Sequence, residues 1–159
     1  MELRAQLLRA SECSFRGEIT ADYGDQIYNF GMDCLADGEG NVHFSVTAPE
    51  TIAGIGGTIS YTGGKLTFED TVLQFSLLAD GQVSPVAAPW VFMKTLRGGY
   101  LTSACMEDDL LRLSLNDSYE DGALQGDIWL DGSNRPVRGE FLYEGKRILS
   151  LDVVDFQIR

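Results

Sequence analysis

A two-residue alternation of apolar and polar side chains, sustained over about sixty residues, restricts the fold of this chain more than any other feature. The alternation begins with apolar residues separated by single polar ones: Phe15, Gly17, Ile19, Ala21 and Tyr23. Successive side chains of a β-strand point to opposite faces of its sheet. This spacing therefore predicts a mainly β chain whose strands each turn one face toward a core.

Hairpin turns predict the register of the first strands. Gly24-Asp25 has the chemistry of a two-residue turn, which places Tyr23 opposite Gln26. A slip by one residue would break the match between apolar faces, so the register is well determined. The expected pairs are Ala21 with Tyr28, Ile19 with Phe30, Gly17 with Met32 and Phe15 with Cys34.

Further strands follow at regular turn signals. A hairpin at Gly63-Gly64 is expected to pair Tyr61 with Leu66 and Ile59 with Phe68, apolar with apolar. The final strand is apolar on both faces, which predicts that it is either central in the sheet or covered on both sides. Beyond the first hairpin, the expected strands are 42–48, two around Gly63-Gly64, 71–77, 100–107, 111–115, 124–130, 136–143 and 146–158.

Two helices are expected. Residues 1–12 carry leucines at helical spacing, which predicts a short amphipathic helix. Ser84-Pro85 is a typical helix start, and Gly98-Gly99 is expected to stop that helix after about Arg97. The second helix is apolar on nearly all sides, so it has to be enclosed.

About ten antiparallel strands and an enclosed helix predict an α+β architecture, a curved half-barrel wrapped around the apolar helix, in one domain of residues 1–159. A closed barrel filled by its own side chains would leave no room for that helix. The seam between helix and sheet is lined by Phe, Trp, Met, Leu and Ile. Two interpretations of it remain open, a dry core and a binding cleft.

The charge balance excludes several classes of partner. There are 12 Lys and Arg against 24 Asp and Glu, a formal net charge of −12. Such a surface repels phosphate backbones and anionic headgroups, which argues against nucleic-acid binding and polybasic membrane attachment. No apolar run is long enough to span a bilayer, and no signal peptide opens the chain. The protein is thus expected either to be cytoplasmic or to have lost a leader.

Residues able to carry chemistry are scarce, so an enzyme is disfavoured and no cofactor is expected. The single histidine, His43, lies on the polar face of its strand. Cys13, Cys34 and Cys105 lack metal-ligand spacing, so buried free thiols are expected. One disulfide, Cys34 to Cys105 or Cys13 to Cys34, is the alternative, and a catalytic thiol is the weakest option.

Three acidic segments superficially resemble cation sites but lack the alternating oxygen ligands of a calcium loop, so they are expected to be turns. They are Glu107-Asp108-Asp109, Asp37-Gly38-Glu39-Gly40 and Asp131-Gly132-Ser133-Asn134. Gly54-Ile55-Gly56-Gly57 follows no βαβ pattern, so it is expected to be a strand edge or bulge instead of a phosphate cradle.

The order of elements resembles that of the lipoprotein-localisation-factor (LolA/LolB-like) superfamily. The resemblance rests on a helix, three strands, Pro49-Glu50-Thr51-Ile52-Ala53-Gly54-Ile55, the Gly63-Gly64 hairpin and Ser84-Pro85. More narrowly, the chain is similar to small envelope lipoproteins of Gram-positive gut bacteria. The resemblance implies an extracytoplasmic half-barrel, held at the membrane by an acylated cysteine that this chain lacks. Relatives carry lipoproteins or glycolipids, or act as envelope-stress sensors.

Two functions are therefore expected. The first is a non-enzymatic envelope protein that binds a lipid or other apolar molecule between sheet and helix. The second is a structural or sensory envelope protein with a dry core that binds a protein partner. The residues expected to line an apolar cleft are Phe30, Met32, Phe44, Tyr61, Phe68, Phe75, Trp90, Phe92, Met93 and Leu96.

Overall fold

The computed structural model describes residues 2–22, 24, 26–68, 71–75, 78–79, 82–83, 85–116, 124–143 and 145–159, with only the backbone described in 71–83. The helices are α1 (Glu2–Arg9) and α2 (Ala88–Gly98), the latter preceded by a 3-10 turn at Pro85–Ala87. The strands of the first half are β1 (Glu12–Asp22), β2 (Ile27–Asp37), β3 (Val42–Ala48), β4 (Gly56–Ser60), β5 (Gly63–Phe68), β6 (Thr71–Phe75), β7 (Leu78–Ala79) and β8 (Gln82–Val83). The second half contains β9 (Tyr100–Glu107), β10 (Leu110–Asn116), β11 (Gln125–Leu130), β12 (Pro136–Tyr143) and β13 (Lys146–Ile158).

Two antiparallel meanders form one open sheet of eleven strands, in the order β6-β5-β4-β3-β2-β1-β13-β12-β11-β10-β9. The meanders meet where β1 pairs with β13, and β7 and β8 form a separate ribbon. The sheet curves around α2 as a half-barrel, which confirms the expected fold class. The main sheet thus has one strand more than the expected number of about ten.

The register of the first hairpin is confirmed. Ala21 lies opposite Tyr28, Ile19 opposite Phe30, Gly17 opposite Met32 and Phe15 opposite Cys34. Every second residue of β1 from Cys13 to Ala21 is buried, so the core face fixes the pairing. The proposed contact of Tyr23 with Gln26 lies outside the described residues, as do the Ser84 cap, the 80–81 turn, Leu77, the 117–123 loop and Glu144.

The predicted register of the β4–β5 hairpin is wrong. Its turn lies at Tyr61 and Thr62, two residues earlier than expected, so Leu66 pairs with Gly57 and Ile59 with Gly64. A Cβ atom on Gly57 would lie 2.3 Å from the Lys65 carbonyl oxygen. The close approach of the strands at this glycine therefore decides the register, and apolar matching does not.

The last strand is central but is not covered on both faces. Leu149, Leu151 and Val153 alternate into the core, and Phe156 also enters it, three residues after Val153. Asp155 has a φ of 55°, and the register with β1 shifts there, so a bulge reverses the alternation. The bulge thereby turns Phe156 into the core, while Val154, next to buried Val153, points outward with half of its surface exposed.

Both helices are shorter than expected. The first ends at Arg9 because the amide of Ser11 donates to the carbonyl of Arg159 (2.8 Å), which starts β1 against the end of β13. The second becomes α-helical only at Ala88, since Pro85 opens a 3-10 turn. It ends as expected, with the amide of Gly99 donating to the carbonyl of Thr95 at 2.9 Å. No helix in the described ranges is long and apolar enough to cross a membrane.

The core lies between α2 and the concave face of the sheet. Phe92 has no exposed surface, and its ring packs edge-on against Phe15 with centroids 5.6 Å apart. The Phe15 ring also stacks on Phe156 at 5.7 Å. Gly139 makes room for Phe92, since a Cβ there would lie 2.9 Å from its ring. The enclosed position predicted for the apolar helix is thereby confirmed.

A separate cluster covers the outer face of the second meander. The Trp129 ring lies between the guanidinium groups of Arg112 (5.3 Å) and Arg138 (5.8 Å). Asp127 is buried beside it and accepts hydrogen bonds from Arg112 Nη2 (2.8 Å) and Ser114 Oγ (2.7 Å). The Asp127 hydrogen bond and charge raise the pKa of Arg112. The hydrogen bonds satisfy both carboxylate oxygens of Asp127, whereas Arg112 Nε is buried without a partner, and Trp129 is largely shielded from water.

Candidate functional site

A cleft of about 410 Å³ lies where α1 and α2 approach two turns of the first meander. Helix α1 and the β2–β3 turn form two walls, and one face of α2 forms the floor. Small-molecule sites typically occupy about 300 to 1,000 Å³, so this cleft can hold a small ligand. Its lining residues are Leu7, Leu8, Gly38, Glu39, Gly40, Tyr61, Trp90, Met93, Lys94, Arg97 and Gly98.

An aromatic pair forms one end of the cleft. The rings of Tyr61 and Trp90 meet edge to face with centroids 5.2 Å apart. Trp90 Nε1 donates to the carbonyl of Gly40 at 3.1 Å, which fixes the indole against the β2–β3 turn. The ammonium of Lys94 lies 5.3 Å from the Trp90 ring and 5.9 Å from the Tyr61 ring. A positive charge is thus held over an apolar surface.

Arg4 fixes the distance between the two helices. Its Nε donates to the carbonyl of Leu96 at 2.9 Å and its Nη2 to the carbonyl of Gly99 at 2.8 Å. These carbonyls end α2 and have no partner within the helix, so a cation there also complements the helix dipole. With α1 held in this way, buried Leu7 lines the cleft and Leu8 stays two-thirds exposed at its lip.

The β2–β3 wall depends on one carboxylate. Asp37 Oδ1 accepts from the amides of Glu39 (2.9 Å) and Asn41 (3.0 Å), and its Oδ2 contacts His43 Nε2 at 3.2 Å. Burial alone would raise the pKa of Asp37. The hydrogen bonds from Asn41, Glu39 and His43 outweigh it and lower this pKa to about 2.

We expect acid to loosen this wall. The folded pKa of Asp37 lies below the ordinary value of 3.8, so its contribution to stability is complete above about pH 4 and disappears toward pH 2. Because the carboxyl is partly solvated, we expect a loss of about 1 kcal/mol across that interval. Urea unfolding from pH 5 to pH 2 should show a shallower decline for Asp37→Asn, whereas exposed Glu50→Gln should follow the unmodified chain. If the free energy of unfolding fell equally with pH in Asp37→Asn and in the unmodified chain, the stabilising role of the Asp37 carboxylate would be contradicted.

Arg97 lies on α2, which forms the floor of the cleft. Its Nη2 is shielded from solvent and has no hydrogen-bond partner. The guanidinium lies beside Cys13, whose pKa is raised by burial although the charge of Arg97 and a hydrogen bond from its side chain both oppose this. No described carboxylate forms an ion pair with Arg97. A buried guanidinium nitrogen without a partner is energetically unfavourable, so this side chain is suited to receive an acceptor.

The three thiols are free, and the structure forms neither of the disulfides considered from sequence. Cys13 and Cys34 are buried as expected. Burial raises the pKa of Cys34, and the nearby Asp33 carboxylate raises it further, so this thiol stays protonated. Cys105 is exposed, contrary to the expectation, because β9 is an edge strand whose residues are all exposed.

The ten residues expected to line a cleft divide into three groups. Tyr61, Trp90 and Met93 line the cleft described above. Phe68 is half exposed on β5, and the side chain of Phe75 lies outside the described part of the structure. The remaining residues lie in the buried core, to which Trp90 and Met93 also belong, and do not line the cleft: Phe30, Met32, Phe44, Phe92 and Leu96.

The acidic segments form turns, as expected. Asp37 and Asp131 each accept hydrogen bonds from backbone amides two and four residues ahead. Asp108 and Asp109 form the β9–β10 turn, both with positive φ. His43 is exposed, with its second ring nitrogen 3.0 Å from Thr58 Oγ1.

Comparisons with known proteins agree on the fold. No protein-family model and no curated protein matches the chain. An uncharacterized conserved protein from Thermus thermophilus is 13% identical over 98% of this chain and 83% of its own, with a TM-score of 0.53. A putative outer membrane lipoprotein-sorting protein domain from Vibrio parahaemolyticus is 11% identical over 99% and 90%, with a TM-score of 0.52.

A third similar chain comes from the structure of the CwlD amidase from Clostridioides difficile in complex with the GerS lipoprotein. It is 13% identical over 99% of this chain and 92% of its own, with a TM-score of 0.51. At identities this low, the structural similarity establishes a common fold. The half-barrel has the LolA-like fold that the sequence resemblance implied.

Proposed function

We propose that this chain is a non-enzymatic binding domain of the cell envelope, extracytoplasmic and lipid-anchored, that holds a lipid or other apolar molecule against α2. The observation that carries the proposal is the cleft of about 410 Å³ beside the buried core. Leu7, Trp90 and Met93 line the cleft but are almost fully buried, while Leu8 and Tyr61 form an exposed apolar lip. The similarity to a lipoprotein-sorting domain supports the envelope location.

Gly98→Trp tests this proposal. A Cβ at Gly98 meets no atom within 4 Å, so an indole can enter the cleft without disturbing the fold. We expect the affinity for Nile red, a neutral apolar dye, to fall at least about tenfold, because the indole takes the space of the dye. Fluorescence titration measures the effect.

Gly132→Trp is the matched control. A Cβ at Gly132 also meets nothing within 4 Å, and the residue lies in the β11–β12 turn outside the cleft. This variant should bind the dye like the unmodified chain. Equal affinity for the dye in both tryptophan variants would contradict a ligand site in this cleft.

A sensory or structural protein that binds a protein partner is the second candidate. The observation favouring it is the edge strand β9, which is exposed on both faces and offers backbone groups on its open side. Leu101 and Met106 add apolar contacts along that strand.

Native mass spectrometry of protein taken from its host separates the candidates. A mass that leaves on organic extraction supports the ligand-binding domain, and a retained polypeptide whose binding weakens with salt supports this second one.

A further inference from the structure

We infer that the cleft selects single-chain amphiphiles with an anionic headgroup, a carboxylate or a phosphate, bound by Arg97 with Lys94 beside it. The inference rests on the proposed function, since it assigns the chemistry of a ligand in that same cleft. The apolar tail would lie against Leu7, Trp90 and Met93.

The cleft is divided by polarity along α2. Trp90 and Met93 supply apolar surface, and Lys94 and Arg97 follow on the same helix, three residues apart. Side chains at that spacing are neighbours on a helix, so Arg97 follows one turn after Lys94 on the side of α2 that borders the cleft. Among the described lining residues Glu39 is the one carboxylate, and it is exposed on the turn.

Among the described arginines that form no ion pair with Asp or Glu, which also include Arg4, Arg9 and Arg135, Arg97 is distinctive because its Nη2 is buried without a hydrogen-bond partner. Ion pairs to Asp or Glu are formed by Arg16, Arg112, Arg138, Arg147 and Arg159. Arg97 lacks such a pair within the described residues, although the chain carries 24 acidic residues. A guanidinium matches the two oxygens of a carboxylate or phosphate. An anionic headgroup would therefore supply the acceptor that the protein does not provide.

The net charge of −12 opposes any anion at long range. That repulsion is screened beyond about 10 Å at ordinary ionic strength, whereas a contact inside a cleft is screened much less. The headgroup must therefore be selected by direct contact. Lys94 contributes to this contact because its ammonium is held over the Trp90 ring at the edge of the apolar surface.

Competition against Nile red with three ligands of equal chain length tests the inference. Dodecanoate and dodecyl phosphate should displace the dye at concentrations at least about tenfold lower than dodecanol. The two anions distinguish a carboxylate from a phosphate headgroup. Equal displacement by dodecanol and both anions would overturn the inference while leaving the proposed function intact. Failure of all three ligands and of the dye to bind would overturn both.

Arg97→Gln should reduce the preference for the anions over dodecanol by about tenfold. The loss should lie in the affinity for the anions and not in the affinity for dodecanol. Arg16→Gln is the control, because it removes the same charge from an exposed site outside the cleft. Lys94→Gln provides a second variant should Arg97→Gln unfold, and it should also reduce the preference. An anion preference that survives in folded Arg97→Gln, or in Lys94→Gln where Arg97→Gln does not fold, would overturn the inference.

Discussion

Replacing Phe92 by alanine should lower the free energy of unfolding by about 3 to 5 kcal/mol. The Phe92 side chain has no exposed surface and lies at the centre of α2. It contacts the Phe15 ring and fills the space left by Gly139, so a cavity would remain that neither strand can close. Urea unfolding followed by circular dichroism measures the loss.

Phe68→Ala is the matched control for this variant. The residue types are the same, but Phe68 is half exposed on β5. The change should therefore cost about 1 kcal/mol or less. A similar loss for both variants would mean that α2 is not the centre of the core.

Gly57→Ala should destabilise the protein by about 3 kcal/mol, although it adds a single methyl group. The new Cβ would lie 2.3 Å from the Lys65 carbonyl oxygen and 2.7 Å from the Phe44 ring. A backbone oxygen cannot move aside as a flexible side chain can, so β4 and β5 would have to separate. We expect amide chemical shifts in β3, β4 and β5 to move together with the loss of stability.

Gly132→Ala and Gly98→Ala serve as controls for the added methyl group. Neither Cβ meets an atom within 4 Å. The free energy of unfolding of both variants should therefore lie within about 1 kcal/mol of that of the unmodified chain. Gly98 ends α2, and alanine there should even stabilise the helix slightly. If Gly57→Ala proved as stable as these controls, the register of β4 and β5 would be different from the one described.

The first hairpin could be predicted because each of its pairs places an apolar residue opposite another on one face, as Ile19 and Phe30 do. The second could not. Gly57 and Gly64 have no side chains to mark a face, and the register follows from the closeness of Gly57 to Lys65. The bulge at Asp155 could not be predicted from the sequence either. One residue with positive φ reverses the alternation of buried and exposed side chains without changing the composition of the strand.

The sequence indicated that α2 is enclosed but not which of its residues a ligand could reach. Phe92 and Trp90 are both buried aromatic residues of one helix, yet only Trp90 lines the cleft. Residues two apart lie on different faces of a helix, and α1, held by Arg4 through carbonyls more than ninety residues away, borders the face that carries Trp90. Lys94 and Arg97 were visible only as the short polar face of an apolar helix. Their proximity to Leu7 required the three-dimensional structure.

The pairing of β1 with β13 at the middle of the sheet has a consequence for how the chain folds. Ser11 and Arg159, 148 residues apart in sequence, lie at one end of this pair. Closing a loop of that length is entropically unfavourable, and contacts between distant residues slow folding. Each meander can form its own local hairpins early, but they fuse into one sheet only when β13, the inner edge of the second meander, pairs with β1. Until that late step, both inner edges remain open to wrong partners.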